Sequence, residues 1–267
     1  GALARRSDAF HLVSEVLAIP RARLLLEEPR VSLARWGRLR SLLRRLWRGE
    51  PLAYLIGTQP FLEWDFRVDP RVLIPRPETE ELVELVLSRA ALAPGKRVLD
   101  IGTGSGCIAV ALAARCPGLR LVAVDKSREA LTVARGNARK ILGPGHPIRF
   151  LAMDFLDDRA RGRLGGPFDL IVSNPPYVGM DEKVEMDASV RRHEPKIALF
   201  SGRDGLHFIR RLAEILPGAL SGKGEFFLEI GHRQGDRVAA LMKTPDFHYS
   251  IIQDLRGIGR FFHGLRA

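Results

Sequence analysis

Apolar residues recur at helical spacing along the first fifty positions of the chain. Phe10, Leu12, Val13, Val16 and Leu17 predict a first helix, short because Ser7 is read as its cap. A second helix is predicted near Ala22, with Leu24, Leu25 and Leu26. A third starts at Val31, where Leu33, Trp36, Leu39, Leu42, Leu43, Leu46 and Trp47 follow helical spacing. These stripes are read as helix–helix core, so residues 1–50 are expected to form a small helical bundle. Pro51 and Gly57 interrupt the pattern. In "FLEWDFRVD" and "RVLIP" apolar and polar positions alternate, which predicts a short β-hairpin linker within 51–76. Pro77 then opens a helix with Glu78, Glu80 and Glu81 in its first turn, where negative charge suits the helix dipole.

From Arg97 the rhythm changes. "RVLDIG", "LVAVD", "IRFLAMD", "DLIVSN" and "GEFFLEIG" are predicted strands, separated by helical stretches at 106–115, 127–141, 205–216 and 233–243. That alternation predicts an α/β fold with a parallel, doubly wound sheet over 77–267. Two late runs, 247–253 and 259–264, are expected to pair antiparallel at an edge.

Composition narrows the possibilities. No apolar run approaches the roughly 18–20 residues of a membrane span. GALARRSDAF carries no signal-peptide apolar core, so no export is expected. Cys107 and Cys116 lack CxxC spacing and the seven histidines are scattered, so neither a disulfide nor a metal site is expected. Net charge is +11, and residues 1–50 hold 11 Arg against 5 acidic residues. Such a surplus attracts nucleic acid, ribosomes or acidic proteins, or is simply a solvated helix surface.

The candidate chemistry lies at the strand ends. In "VLDIGTGSGCIAVALA" a strand runs into a glycine-rich turn and a helix. Gly102, Gly104 and Gly106, with Thr103 and Ser105 between them, let the backbone turn tightly and approach a ligand. The second strand ends in Asp125, which can accept hydrogen bonds from both ribose hydroxyls. The third ends in Asp154-Phe155, an acceptor for an adenine amino group beside an aromatic for its ring. Either acid alone could cap a turn; three successive strand ends of this kind favour a nucleoside. The chain has no GxxxxGK[ST], which argues against a phosphate grip, and S-adenosyl-L-methionine fits.

The fourth strand ends in "VSNPPYVG". Pro175 and Pro176 have no N–H, so this backbone offers acceptors only. Asn174 precedes a proline and is driven to an extended conformation, which fixes where its side chain points. One N–H of a planar NH2 group can donate to the Asn174 side-chain oxygen and the other to the Pro175 carbonyl. Tyr177 would flatten against the amide and exclude water. Methyl transfer to a planar nitrogen is the chemistry this loop predicts.

With these residues, the sequence resembles the HemK/PrmC family of protein-(glutamine-N5) methyltransferases. The likeness is carried by "PLAYLIGTQPF", "LIPRPETEEL", "VLDIGTGSG", "VAVDKS", "IVSNPPYV", Glu194-Pro195 and "LEIG". It implies a Rossmann-like S-adenosylmethionine-dependent methyltransferase sheet, with an N-terminal helical domain docking the substrate. It further implies that Gly102 to Gly106, Asp125, Phe155 and Asn174 contact the cofactor, and that Asn174 to Tyr177 hold a glutamine amide. The substrate implied is the Gly-Gly-Gln glutamine of peptide-chain release factors, and the second product is S-adenosyl-L-homocysteine. A cytoplasmic monomer is expected, with no membrane partner and direct nucleic-acid binding allowed but not required. The alternatives are an adenine methyltransferase of DNA, which needs more substance to read and flip a base, and an enzyme acting on a ribosomal-protein glutamine.

Overall fold

A computed structural model of the chain describes residues 2–26, 31–157, 164–184 and 186–267. Its centre is a seven-stranded sheet made of β3 (Arg97–Ile101), β4 (Arg120–Asp125), β5 (Ile148–Ala152), β6 (Phe168–Ser173), β7 (Leu220–Glu229), β8 (Phe247–Gln253) and β9 (Gly259–Arg266), in the order β5-β4-β3-β6-β7-β9-β8. The first five in that order are parallel. β9 is antiparallel to both of its neighbours and separates β8 from the rest. All five central strands and the final antiparallel pair fall where the hydrophobic pattern predicts them.

The strand runs read as almost continuously apolar because both sheet faces are covered. Val98, Leu121, Leu170 and Phe227 point to one face, into a core shared with α5 (Pro77–Arg89), α6 (Cys107–Arg115) and α7 (Arg128–Leu142). Their neighbours Leu99, Val122, Ile171 and Phe226 point to the other, against α8 (His207–Ala219) and α9 (Gly235–Met242). Period two along each strand therefore feeds two cores.

The N-terminal part departs from the sequence reading in four ways. The first helix, α1, spans Ala2–Leu17, so Ser7 lies inside it and caps nothing. α2 is a single turn, Arg21–Leu24, and leaves Leu25 and Leu26 exposed. α3, Leu33–Trp47, is capped by Ser32 and buries Leu39, Leu42 and Leu46, but Leu33, Trp36 and Trp47 are 90%, 54% and 53% exposed. The stripe is thus two stripes, one buried and one facing solvent.

A fourth helix was not predicted at all. α4, Leu52–Ile56, starts after Pro51 and ends at Gly57, whose φ of 89° closes the helix in the left-handed region. Its Leu55 joins Leu12, Leu42 and Leu46 in the helical core, so the bundle runs past residue 50. Its Ala53 and Tyr54 pack on Val68, Val72, Ile74, Ala130 and Val133. The expected linker is likewise integrated. Only β1 (Thr58–Phe61) and β2 (Trp64–Arg67) form the hairpin, and Phe61 and Phe66 lie in the same core as α5 and α6. Residues 71–75 are not a strand. Among the described residues, no helix is long and apolar enough to cross a membrane.

Candidate functional site

The sheet order reverses between β3 and β6: β4 and β5 follow on one side, β7 on the other. Such a switch point opens a crevice at the carboxyl ends of the strands. The last paired residues there are Ile101 and Ser173, and the Ser173 hydroxyl donates to the Ile101 carbonyl at 2.7 Å. The next residue on each strand is Gly102 and Asn174. The glycine loop and the Asn-Pro-Pro-Tyr segment are therefore neighbours because their strands are.

A cavity of about 280 Å³ opens at this point. Gly102, Gly104, Asp125, Asp154, Phe155, Asn174 and Pro176 line it. A Cβ built on Gly102, at φ 75°, would point at the Asn174 backbone carbonyl 4.0 Å away, so a side chain there would fill the space between loop and motif. Both Asp125 oxygens hold backbone, Oδ2 accepting from Gly104 N at 2.9 Å and Oδ1 from Ser127 N at 2.8 Å. Burial raises the pKa of this carboxyl. The turn-capping role and the cavity position coexist in this one residue. Asp154 Oδ2 pairs with Lys126 Nζ at 2.7 Å and Oδ1 accepts from Leu156 N. Phe155 stacks on Phe208, with 5.9 Å between centroids.

Other expected site residues are not on the cavity wall. Thr103 is buried, its hydroxyl donating to Asp100 Oδ2 at 2.6 Å, and among the described residues Asp100 Oδ1 has no hydrogen-bond partner. Burial pushes that carboxyl up to about 7. Ser105 is buried with its carbonyl accepting from Asn137 Nδ2 at 2.9 Å. Gly106 caps α6 and packs against Ala134, where a Cβ would meet the Ala134 Cβ at 3.1 Å. These three shape the loop from behind. Pro175 and Tyr177 also lie off the wall. Burial, then the Glu229 charge, raises the pKa of Tyr177.

Several wall residues were not among the expected site residues. Arg71, Val72 and Leu73 come from the segment before α5, held by Tyr54 Oη donating to the Val72 carbonyl at 2.6 Å. Glu194 is almost fully buried and takes Ile74 N at 3.2 Å and Arg76 Nη2 at 2.5 Å. Pro195, Ala198 and Phe200 close the far side. Gln234 Nε2 donates to the Tyr177 carbonyl at 2.8 Å and so ties down the end of the proline motif.

Comparison with known proteins interprets this geometry. A family model described as "Methyltransferase small domain" matches residues 79–191, and one described as "PrmC N-terminal domain" matches residues 3–57. A release factor glutamine methyltransferase of Lactococcus lactis is 41% identical over 224 residues, covering 83% of this chain and 80% of that protein. Its counterpart in Chlorobaculum tepidum is 37% identical over 261 residues, covering 96% and 88%.

The chain belongs to the release factor glutamine methyltransferase family.

A methyltransferase of Pyrococcus furiosus shares the fold, with a TM-score of 0.55 at 18% identity over 84% of this chain and 96% of that one. The family resemblance visible in the sequence holds, and the methyl donor of such an enzyme is S-adenosyl-L-methionine. The cavity suits it. Val124, Met153, Phe155 and Ala198 give the apolar surface an adenine ring requires, and Asp125 stands at the expected end of β4 for a ribose. Two cations on the wall, Lys126 and Arg71, are already paired with Asp154 and Asp69, so they form no ready phosphate grip.

Asp125→Ala removes a carboxylate from the cavity wall and the tether of Gly104 together. Affinity for S-adenosylhomocysteine is expected to fall by about 5- to 150-fold, corresponding to roughly 1–3 kcal/mol for a charged hydrogen bond. Titration calorimetry checks this; unchanged affinity would make Asp125 a turn residue only.

Proposed function

We propose that this chain methylates the side-chain amide nitrogen of the glutamine in the Gly-Gly-Gln motif of peptide-chain release factors. The observation that carries the reading is the placement of Asn174 beside Gly102 at the sheet switch point, on the wall of a cavity suited to a nucleoside. Gly102, Gly104, Asp125 and Phe155 would hold the cofactor, with Asp154 as a further acceptor for its adenine. When bound, S-adenosylmethionine supplies an electrophilic methyl group carried on a sulfonium.

The amide nitrogen is a poor nucleophile because its lone pair is delocalised. The same resonance underlies a rotation barrier of about 18–20 kcal/mol. Asn174, on the cavity wall, offers its Oδ1 as an acceptor that needs no rearrangement at the moment of reaction, and the Pro175 carbonyl, set behind the wall, is the second acceptor of this reading. Each holds one N–H of the substrate, which favours the pyramidal nitrogen of the transition state over the planar ground state. The amide protons become acidic as the nitrogen gains its methyl group, so no strong base is needed beforehand. Tyr177, set behind the cavity wall and held through its carbonyl, is a support rather than a reacting group.

The helical domain is assigned to docking of the protein substrate, in keeping with a single-chain enzyme of the compartment where translation runs. The curated relatives do not favour DNA adenine or a ribosomal protein as the substrate. The deciding assay offers labelled S-adenosylmethionine with release factor, duplex DNA or ribosomal RNA separately. Label is expected in release factor alone. Label in DNA with none in release factor would overturn the reading.

A further inference from the structure

The proposed reaction needs the oxygen of the Asn174 amide, not its nitrogen, to face the substrate. The two ends of that amide have the same shape and opposite hydrogen-bonding character. Some neighbour must therefore hold one orientation.

Asn174 Nδ2 donates to Thr79 Oγ1 at 2.9 Å, and Thr79 Oγ1 donates to Glu229 Oε2 at 2.8 Å. Thr79 is 2% exposed and Glu229 1% exposed, so water does not stand in for either contact. A threonine hydroxyl has one proton. With that proton committed to the carboxylate, Thr79 can only accept from Asn174, and only the NH2 end of Asn174 can satisfy it. The oxygen is left to face the cavity. We propose that Thr79 and Glu229 are positioning residues that fix the polarity of the Asn174 amide, so that the substrate nitrogen meets an acceptor. This rests on the methyl-transfer reading of the site.

The three residues come from three elements: the first turn of α5, the end of β7 and the residue after β6. Holding α5 on the sheet does not require them, because Leu82, Val83 and Val86 of that helix are already fully buried in the core. A buried carboxyl is an unfavourable way to anchor a helix, and burial pushes Glu229 up to about 7.

Three near-isosteric variants test the inference in the full chain. Thr79→Val removes the relay. Glu229→Gln can place an N–H toward Thr79, releasing the threonine proton to the Asn174 oxygen and permitting the turned amide. Thr79→Ser keeps the hydroxyl. Thr79→Val and Glu229→Gln are expected to lower kcat on release factor by roughly 10- to 100-fold, the scale of a slightly misplaced group. KM for release factor and the calorimetric affinity for S-adenosylhomocysteine should stay within about twofold, while Thr79→Ser recovers most of kcat. Normal kcat in Thr79→Val, or equal loss in Thr79→Ser, would overturn the positioning role. If Thr79→Val does not fold, the contrast between Thr79→Ser and Glu229→Gln decides in the same way. An unmodified chain inactive on release factor overturns the reading of the site instead, so the two failures are distinct.

Discussion

Asn174→Ala is expected to reduce methyl transfer to release factor by at least about 10²- to 10³-fold, the loss associated with removing one preorganised polar group from a transition-state site. The side chain is on the cavity wall, one residue beyond the paired end of β6, and its NH2 end is already engaged by Thr79. Truncation removes the acceptor and leaves the strand, both prolines and the glycine loop in place. Affinity for S-adenosylhomocysteine should therefore fall by no more than the roughly 1 kcal/mol of one neutral hydrogen bond. Asn174→Asp is expected to be no rescue. It turns an acceptor toward Thr79 Oγ1, whose proton already serves Glu229, and adds a charge next to a buried carboxyl. Single-turnover transfer with calorimetry on the same preparations checks both substitutions. Transfer by Asn174→Ala at the unmodified rate would remove Asn174 from the mechanism.

The catalytic half of the fold was legible because its signals are local. Each buried strand is a short apolar run ending at a residue of distinct chemistry: Ile101 before Gly102, Val124 before Asp125, Ser173 before Asn174. Strand order puts these ends side by side. The errors came where the signal is not local. α4 has five residues, too few for a helical period, and its limits Pro51 and Gly57 read as breakers when they are its start and its left-handed stop. Periodicity in α3 marks faces but not which face is buried, so Leu33 and Trp36 looked like core. Thr79 and Glu229 lie in "RPETE" and "LEIG", where the only hint was an acid closing a wholly apolar strand end. The Thr79–Asn174 and Thr79–Glu229 contacts span 95 and 150 residues of sequence and exist only after folding.

The exposed face of α3 leads to the other large expected effect. At 100° per residue, Leu33, Trp36, Arg40, Arg44 and Trp47 fall within an arc of about 80°, away from buried Leu39, Leu42 and Leu46. Exposed tryptophan flanked by arginine is the composition of a binding anchor. The double substitution Leu33→Ser with Trp36→Ala is expected to lower kcat/KM on intact release factor by about 10- to 100-fold, roughly 1.4–2.8 kcal/mol. Turnover of a short Gly-Gly-Gln peptide and affinity for S-adenosylhomocysteine should be unaffected. Surface substitution is a cleaner test than deleting residues 1–50. Deletion strips Leu55 of Leu12, Leu42 and Leu46, and removes the Gly49 carbonyl that accepts from Ser189 Oγ at 2.6 Å, so damage would spread toward the catalytic half. Residues 1–50 carry a surplus of +6, so association with an acidic surface should also slow as salt shortens the screening length to about 8 Å at physiological ionic strength. An unchanged kcat/KM on intact release factor would place the docking surface elsewhere. A parallel loss on the short peptide would mean that the substitutions reach the catalytic cavity, and that the helical domain supports the site rather than recruiting the substrate.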